Sequence, residues 1–271
     1  MAIDLSAIPA EKQTYAMCLA SVQADWKQIQ YVNERFQTEE LGLTTVRANP
    51  TAIEFIENQT PEICHEAIKM NGYMLRYVKD QTPELCRFAI NKWPQTLQFV
   101  KDQTPELCLA AVQKEGSALQ YVKGQTPEIC LAAIKQTWWA LEYVREQTPE
   151  ICLTAVKQNS LALEYVKDQT PEMCLEAVRH DGMILRKVKE RTHEICLEAV
   201  KQNGLALVHI PKQEQTLPIA IAALKQNPNS RAFLADKFRT PEVYKVAGYD
   251  YKPEDLVPSQ RGSKGVRTVR E

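Results

Sequence analysis

Glycine is scarce, with nine residues in 271, and those nine form no phosphate-cradling loop; no nucleophile elbow is present either. Long apolar runs are also lacking. No window approaches about 18 uninterrupted apolar residues, so no membrane span is expected. Neither sign of charge prevails: 33 basic and 34 acidic residues leave a formal charge of −1. That argues against a generic polyanion binder, which carries a basic balance, and it is far from the acidic excess of a nucleic-acid mimic. The opening "MAIDLSAIPAEKQ" has no basic n-region, so no secretory signal is expected and the protein is read as soluble and cytoplasmic.

What the chain has instead is a period. Gln-Thr begins at residues 37, 59, 81, 103, 125, 147 and 169, and Arg191-Thr192 continues the series at the same step of 22. Degenerate copies begin at Gln13 and Gln215, set off by the two-residue insertions Arg35-Phe36 and Gln213-Glu214, and a half-copy begins at Arg239. The count is ten full units and a fragment, with the common pattern QTPEICLAAVKQNGLALEYVKD. Positions are numbered here from the Gln, so that Gln103 is repeat position 1.

The unit reads as two short helices. Thr at position 2 (Thr104) is a favoured N-cap, Pro105 sits at N1 where its missing N–H costs nothing, and Glu106 complements the helix dipole. Positions 5, 6, 9 and 10 (Leu107, Cys108, Ala111, Val112) form an apolar helical stripe. Lys or Arg at position 11 suits the helix C-terminus, and Asn-Gly, as in Asn203-Gly204, is expected to stop the helix through a left-handed residue. Leu163, Tyr165 and Val166 (positions 17, 19 and 20) anchor a second segment of about two turns.

Such a pair cannot bury its apolar face alone and must stack on its neighbours. The fold expected is all-α, an α-solenoid of about ten stacked 22-residue two-helix repeats. Residues 1–12 form a lead-in, 13–36 an N-terminal capping repeat, 37–212 eight regular repeats, and 213–248 a C-terminal capping repeat and half-repeat. Residues 249–271 lose the period, collect Arg261, Lys264, Arg267 and Arg270, and read as a flexible basic tail.

"TPEICLAAVKQNG" and "KQNGLALEYV" resemble the helical repeats of a domain-of-unknown-function family found in multi-copy bacterial and giant-virus proteins. The resemblance covers about residues 13–236 and implies repeat architecture rather than a chemistry. The "TPE…A…NG…ALE.V" pattern is also similar to the repeat of transcription-activator-like effectors, whose inter-helix loop reads one DNA base per unit. Their unit is about half as long again as this one.

The eight cysteines all fall at position 6: Cys18, Cys64, Cys86, Cys108, Cys130, Cys152, Cys174 and Cys196. Adjacent copies separated by a helix-packing distance of roughly 8–10 Å lie beyond the about 7 Å Cα limit of a disulfide. No paired-Cys zinc spacing occurs. Gly42 and Ala220 at the same position mark it as a site for a small buried residue, so the ladder is expected in the core and requires a reducing compartment. The four histidines (His65, His180, His193, His209) occupy four different positions and form no constellation. No metal, cofactor or catalytic residue is expected.

Position 15 is often apolar (Tyr73, Leu161, Met183, Leu205), so Trp139 is expected to pack inward. Position 14 lies in the inter-helix loop and carries Trp26 and Trp138; Trp93 at position 13 shares that loop. Loop tryptophans are typical anchors of protein interfaces and can equally stack on bases or simply fill a groove. The leading expectation is a non-enzymatic scaffold that binds a protein partner through its inter-helix loop edge or concave face. Its alternative is a modular nucleic-acid reader, in which loop residues face bases and the position-11 cations (Lys135, Lys157, Arg179) track a backbone. A hydrolase would need a metal or an activated nucleophile that the pattern does not supply. Oligomeric state is left open.

Overall fold

The computed structural model describes residues 3–249, so all of the expected basic tail beyond Tyr249 lies outside the described residues. The regular structure among the described residues is entirely helical. Eleven α-helices follow in order: α1 (Tyr15–Ala24), α2 (Glu39–Ala48), α3 (Pro61–Met70), α4 (Pro83–Lys92), α5 (Pro105–Lys114), α6 (Pro127–Gln136), α7 (Pro149–Gln158), α8 (Pro171–His180), α9 (His193–Gln202), α10 (Leu217–Gln226) and α11 (Pro241–Ala247). Each of α1–α10 is followed by a six-residue 3-10 helix, such as Gly116–Tyr121 after α5 and Trp138–Tyr143 after α6. The protein is an α-solenoid whose second helix is of the tighter 3-10 kind. The described residues divide into two compact units, with the boundary after Arg145: unit 1 up to Arg145 and unit 2 from Glu146. Within each, helices pack chiefly on the elements next to them in sequence.

The ends of each α-helix follow from its sequence. The Thr104 hydroxyl accepts from the Leu107 N–H at 3.4 Å with Pro105 at the first helical position, and the same cap recurs at Thr126 and Thr148. A ten-residue helix is marginal by itself; these are held by burying one side. In the repeat 103–124, Leu107, Cys108, Ala111 and Val112 of α5 meet Ala118, Leu119 and Val122 of the 3-10 helix, and all seven are buried.

The C-terminal stop differs from the left-handed one expected. Asn203 is extended (φ −144°, ψ 108°), and among the described residues the one positive-φ glycine is Gly248, after α11. Asn203 ends α9 and begins the 3-10 helix at once: its Oδ1 accepts from the Leu205 N–H at 3.0 Å. Asn71, Asn159 and Asp181 act identically. With no loop between the helices there is no room for a left-handed residue, and the short polar side chain caps the second helix instead. Glycine at position 14 serves close approach. A Cβ on Gly182 would lie 2.3 Å from the Ala199 carbonyl oxygen of the next repeat. The Gly182 N–H donates to Gln202 Oε1 at 2.7 Å, and Gly116 to Gln136 Oε1 at 2.8 Å.

Two further side chains join the repeats. Gln103 at position 1 donates from Nε2 to Leu97 O of the preceding repeat (2.9 Å) and to Tyr121 O of its own (3.0 Å). Its Oε1 accepts from the Lys123 N–H at 2.9 Å, with the Cys108 thiol 3.8 Å away. Gln59, Gln81, Gln125 and Gln169 repeat the same three backbone bonds. The basic residue at position 21 closes the last carbonyls of the repeat before it. Lys101 Nζ donates to Val78 O (3.2 Å) and Lys79 O (2.7 Å), and the Arg145 guanidinium to Val122 O (2.9 Å) and Lys123 O (2.7 Å). These carbonyls belong to the extended C-cap residue of a 3-10 helix and the residue after it, backbone groups that a cation satisfies just past the helix end.

Candidate functional site

In a 3-10 helix residues three apart eclipse one another. Positions 14, 17 and 20 therefore stack on the buried side, and positions 15 and 18 share a column that faces outward except at the buried Ser117. This overturns the inward reading of Trp139. Trp139, read from the sequence as an inward residue because position 15 is often apolar, is 37 % exposed, as are Tyr73 at 40 % and Leu161 at 38 %. Position 16 goes inward instead: Ala118, Ala140 and Ala162 are fully buried. Trp138, read as the loop contact, is half-buried.

Rings at position 15 and, more often, at the half-exposed position 19 beside it line this side of the 3-10 helices in unit 1. Tyr31, Phe55, Tyr73 and Trp139 are exposed and Tyr77, Phe99, Tyr121 and Tyr143 half-exposed. Tyr73 meets Phe99 of the following repeat edge-on with centroids 5.5 Å apart, and Trp139 meets Tyr143 at 6.1 Å. The Arg76 guanidinium lies over the Phe99 ring at 4.5 Å and at 5.7 Å from both Tyr73 and Tyr77. In unit 2 the equivalent row is mostly aliphatic or cationic: Leu161, Met183, Lys187 and Leu205.

The other residues singled out from the sequence are dispersed. Trp93 is half-buried against the preceding repeat, since a Cβ on Gly72 would lie 2.5 Å from its Cε3, and Lys92 Nζ sits 4.4 Å from its ring centroid. Its ring packs into the junction between the two repeats. Trp26 begins the first six-residue 3-10 helix and is half-buried, with Lys27 Nζ 6.0 Å from its ring. Lys135, Lys157 and Arg179 are exposed at the ends of α6, α7 and α8. Arg179 faces Glu198 at 4.0 Å, and Lys201 meets the same carboxylate at 2.7 Å; Arg47 and Lys69 share Glu66 likewise. Four position-11 cations therefore share two position-8 glutamates, a pairing that includes Arg179 among the three singled out from the sequence.

All eight cysteines are buried free thiols. Burial raises each above its ordinary value, Cys64 to about 11, so they stay protonated. Cys64 and His65 line a cleft of about 600 Å³ among α2, α3 and α4, with the His65 ring 4.1 Å from Phe88. A thiol held neutral is the opposite of an activated nucleophile. Burial and the charges of Arg186 and Arg191 lower the pKa of His209. Among the described residues, no three His, Cys, Asp or Glu side chains group as a metal would require, and no helix is long and apolar enough to cross a membrane.

Comparison with protein families gives three tandem matches to one described as "Domain of unknown function (DUF4116)", at residues 104–148, 127–169 and 170–214. Each match spans about two of the 22-residue periods. Comparison with curated proteins and with solved structures finds no match.

Proposed function

We propose that the protein, whose residues 104–214 match a repeat family of unknown function, is a non-enzymatic scaffold that binds a protein partner. The contact surface is the outward side of the 3-10 helices in unit 1, together with the inter-helix edge beside it. The observation that carries this reading is the set of exposed rings in unit 1, Tyr73 and Trp139 at position 15 and Tyr31 and Phe55 at position 19 of their repeats. Solvent-facing aromatics spaced along a rigid frame are what interface anchors require. The balance of 33 basic against 34 acidic residues weighs against a phosphate backbone as the partner. Eight free thiols in the core fit a reducing compartment such as the cytoplasm.

The test compares affinity capture from a native lysate by the wild type and by a Tyr73→Ser, Trp139→Ser double variant, each with and without nuclease. Both substitutions lie at exposed positions, and circular dichroism checks that the fold is kept. The expected result is a protein species that survives nuclease and is lost with the variant. Capture of nucleic acid, or identical capture by both proteins, overturns the reading.

A further inference from the structure

The ring row contains its own precedent for what it holds. In the repeat 59–80, Arg76 at position 18 projects among Tyr73 (position 15), Tyr77 (position 19) and Phe99 of the next repeat, with its guanidinium 4.5 Å from the Phe99 centroid. Its Nε also donates to the Tyr73 carbonyl at 3.1 Å. The outward rings of a 3-10 helix thus accept a guanidinium laid across them, as the ring quadrupole favours.

The repeat 125–146 has the same frame with the charge reversed. Trp139 stands where Tyr73 does and Tyr143 where Tyr77 does, their rings 6.1 Å apart and steeply inclined at 75°. Position 18, however, is Glu142, exposed and without a hydrogen bond or ion pair among the described residues. Where Arg76 lies between its own two rings at 5.7 Å and Phe99 of the next repeat at 4.5 Å, the Trp139 and Tyr143 rings have a carboxylate at the cation's position. A second precedent shows what such a carboxylate does. Glu164, at position 18 of the following repeat, takes the ammonium of Lys187 at 2.6 Å.

We infer that Trp139, Glu142 and Tyr143 form a binding site for an arginine side chain of the partner protein, the guanidinium stacking on the rings and pairing with the carboxylate. Arginine fits better than lysine because its planar fork stacks and pairs at once, whereas an ammonium is a strongly hydrated point charge. This rests on the protein-binding reading above and names the chemistry of the partner.

The test uses the full chain and a capped tripeptide, acetyl-Gly-Arg-Gly-amide, beside its citrulline counterpart, which keeps the shape and loses the charge. The indole N–H resonance of Trp139, assigned by its disappearance in Trp139→Phe, is followed by NMR. The expected result is a saturable shift with the arginine peptide and about three- to thirtyfold weaker binding with citrulline or in Glu142→Gln. Glu142→Arg, which installs at position 18 the residue type that Arg76 and Arg186 already provide in their own repeats, is expected to abolish the shift while leaving the fold intact. An unmoved Trp139 signal, equal shifts from both peptides, or binding that survives Glu142→Arg overturns the inference. The two readings fail separately: a partner lost on Trp139→Ser and kept on Glu142→Arg leaves the protein-binding face standing and removes the arginine from it.

Discussion

Gln103→Met tests what holds one repeat to the next. Methionine matches the length and volume of glutamine, so no cavity opens, but it donates and accepts almost nothing. The substitution strips partners from Leu97 O, Tyr121 O and the Lys123 N–H, which now sit 2.9–3.0 Å from the amide. The contact with the Cys108 thiol is long and weak and is left out of the sum. At about 1 kcal/mol net for each bond, the loss is about 3 kcal/mol, falling toward about 2 where water reaches the half-buried site. Urea unfolding followed by far-UV circular dichroism should show the midpoint drop, and hydrogen exchange should show the Lys123 amide losing protection. Gln103→Arg should cost about 1 kcal/mol. Arginine replaces the glutamine naturally at positions 191 and 239, where it still reaches preceding carbonyls (Arg191 Nε to Leu185 O, 3.3 Å; Arg239 Nε to Leu234 O, 3.3 Å), but it cannot accept. A loss under about 0.5 kcal/mol for Met, or a methionine variant no worse than the arginine one, would refute the clamp.

Gly182→Ala should destabilise by about 1–3 kcal/mol, since its Cβ meets the Ala199 backbone oxygen at 2.3 Å, whereas Gly124→Ala, with nothing within 4 Å, should be neutral or slightly stabilising; thermal melts of the two decide it. Burial raises the Cys64 thiol from 9.0 to about 11, so the neutral form favours the fold: its contribution is fully present below about pH 9 and is lost as pH rises through about 11. That amounts to about 3 kcal/mol over the window. Cys64→Ala, a residue the same position carries at Ala220, should lose less stability than wild type between urea titrations at pH 8 and pH 11, and parallel losses would contradict it.

The α-helices were legible because each of their determinants is local: a capping Thr, a Pro at N1, an apolar stripe at positions 5, 6, 9 and 10. The 3-10 helices were not. An apolar residue at position 15 looks inward by a 3.6-residue period, yet at three residues per turn it eclipses position 18, and Trp139 turns out where Ala140 turns in. Asn203 misled for a related reason, since an Asn-Gly pair suits a left-handed stop equally well until it is known that the next helix begins without a loop. The glutamine at position 1 served in the sequence only as a period marker. Its recurrence, and its replacement by a residue that still donates, were the available signs of a hydrogen-bonding duty. The division after Arg145 has no mark in the sequence, for the step from Gln125 to Gln147 is as regular as any other.

The position-21 cations give the chain a direction in time. Lys101 closes carbonyls of residues 78 and 79, and Lys123 those of residues 100 and 101, so a repeat receives its final bonds from a side chain synthesised about one period later. At about 5–20 residues per second on the ribosome, that is a wait of about one to four seconds. During synthesis the ordered part of each unit should advance from its N-terminal end with a lag of one repeat, the newest repeat always incomplete and every earlier one already closed.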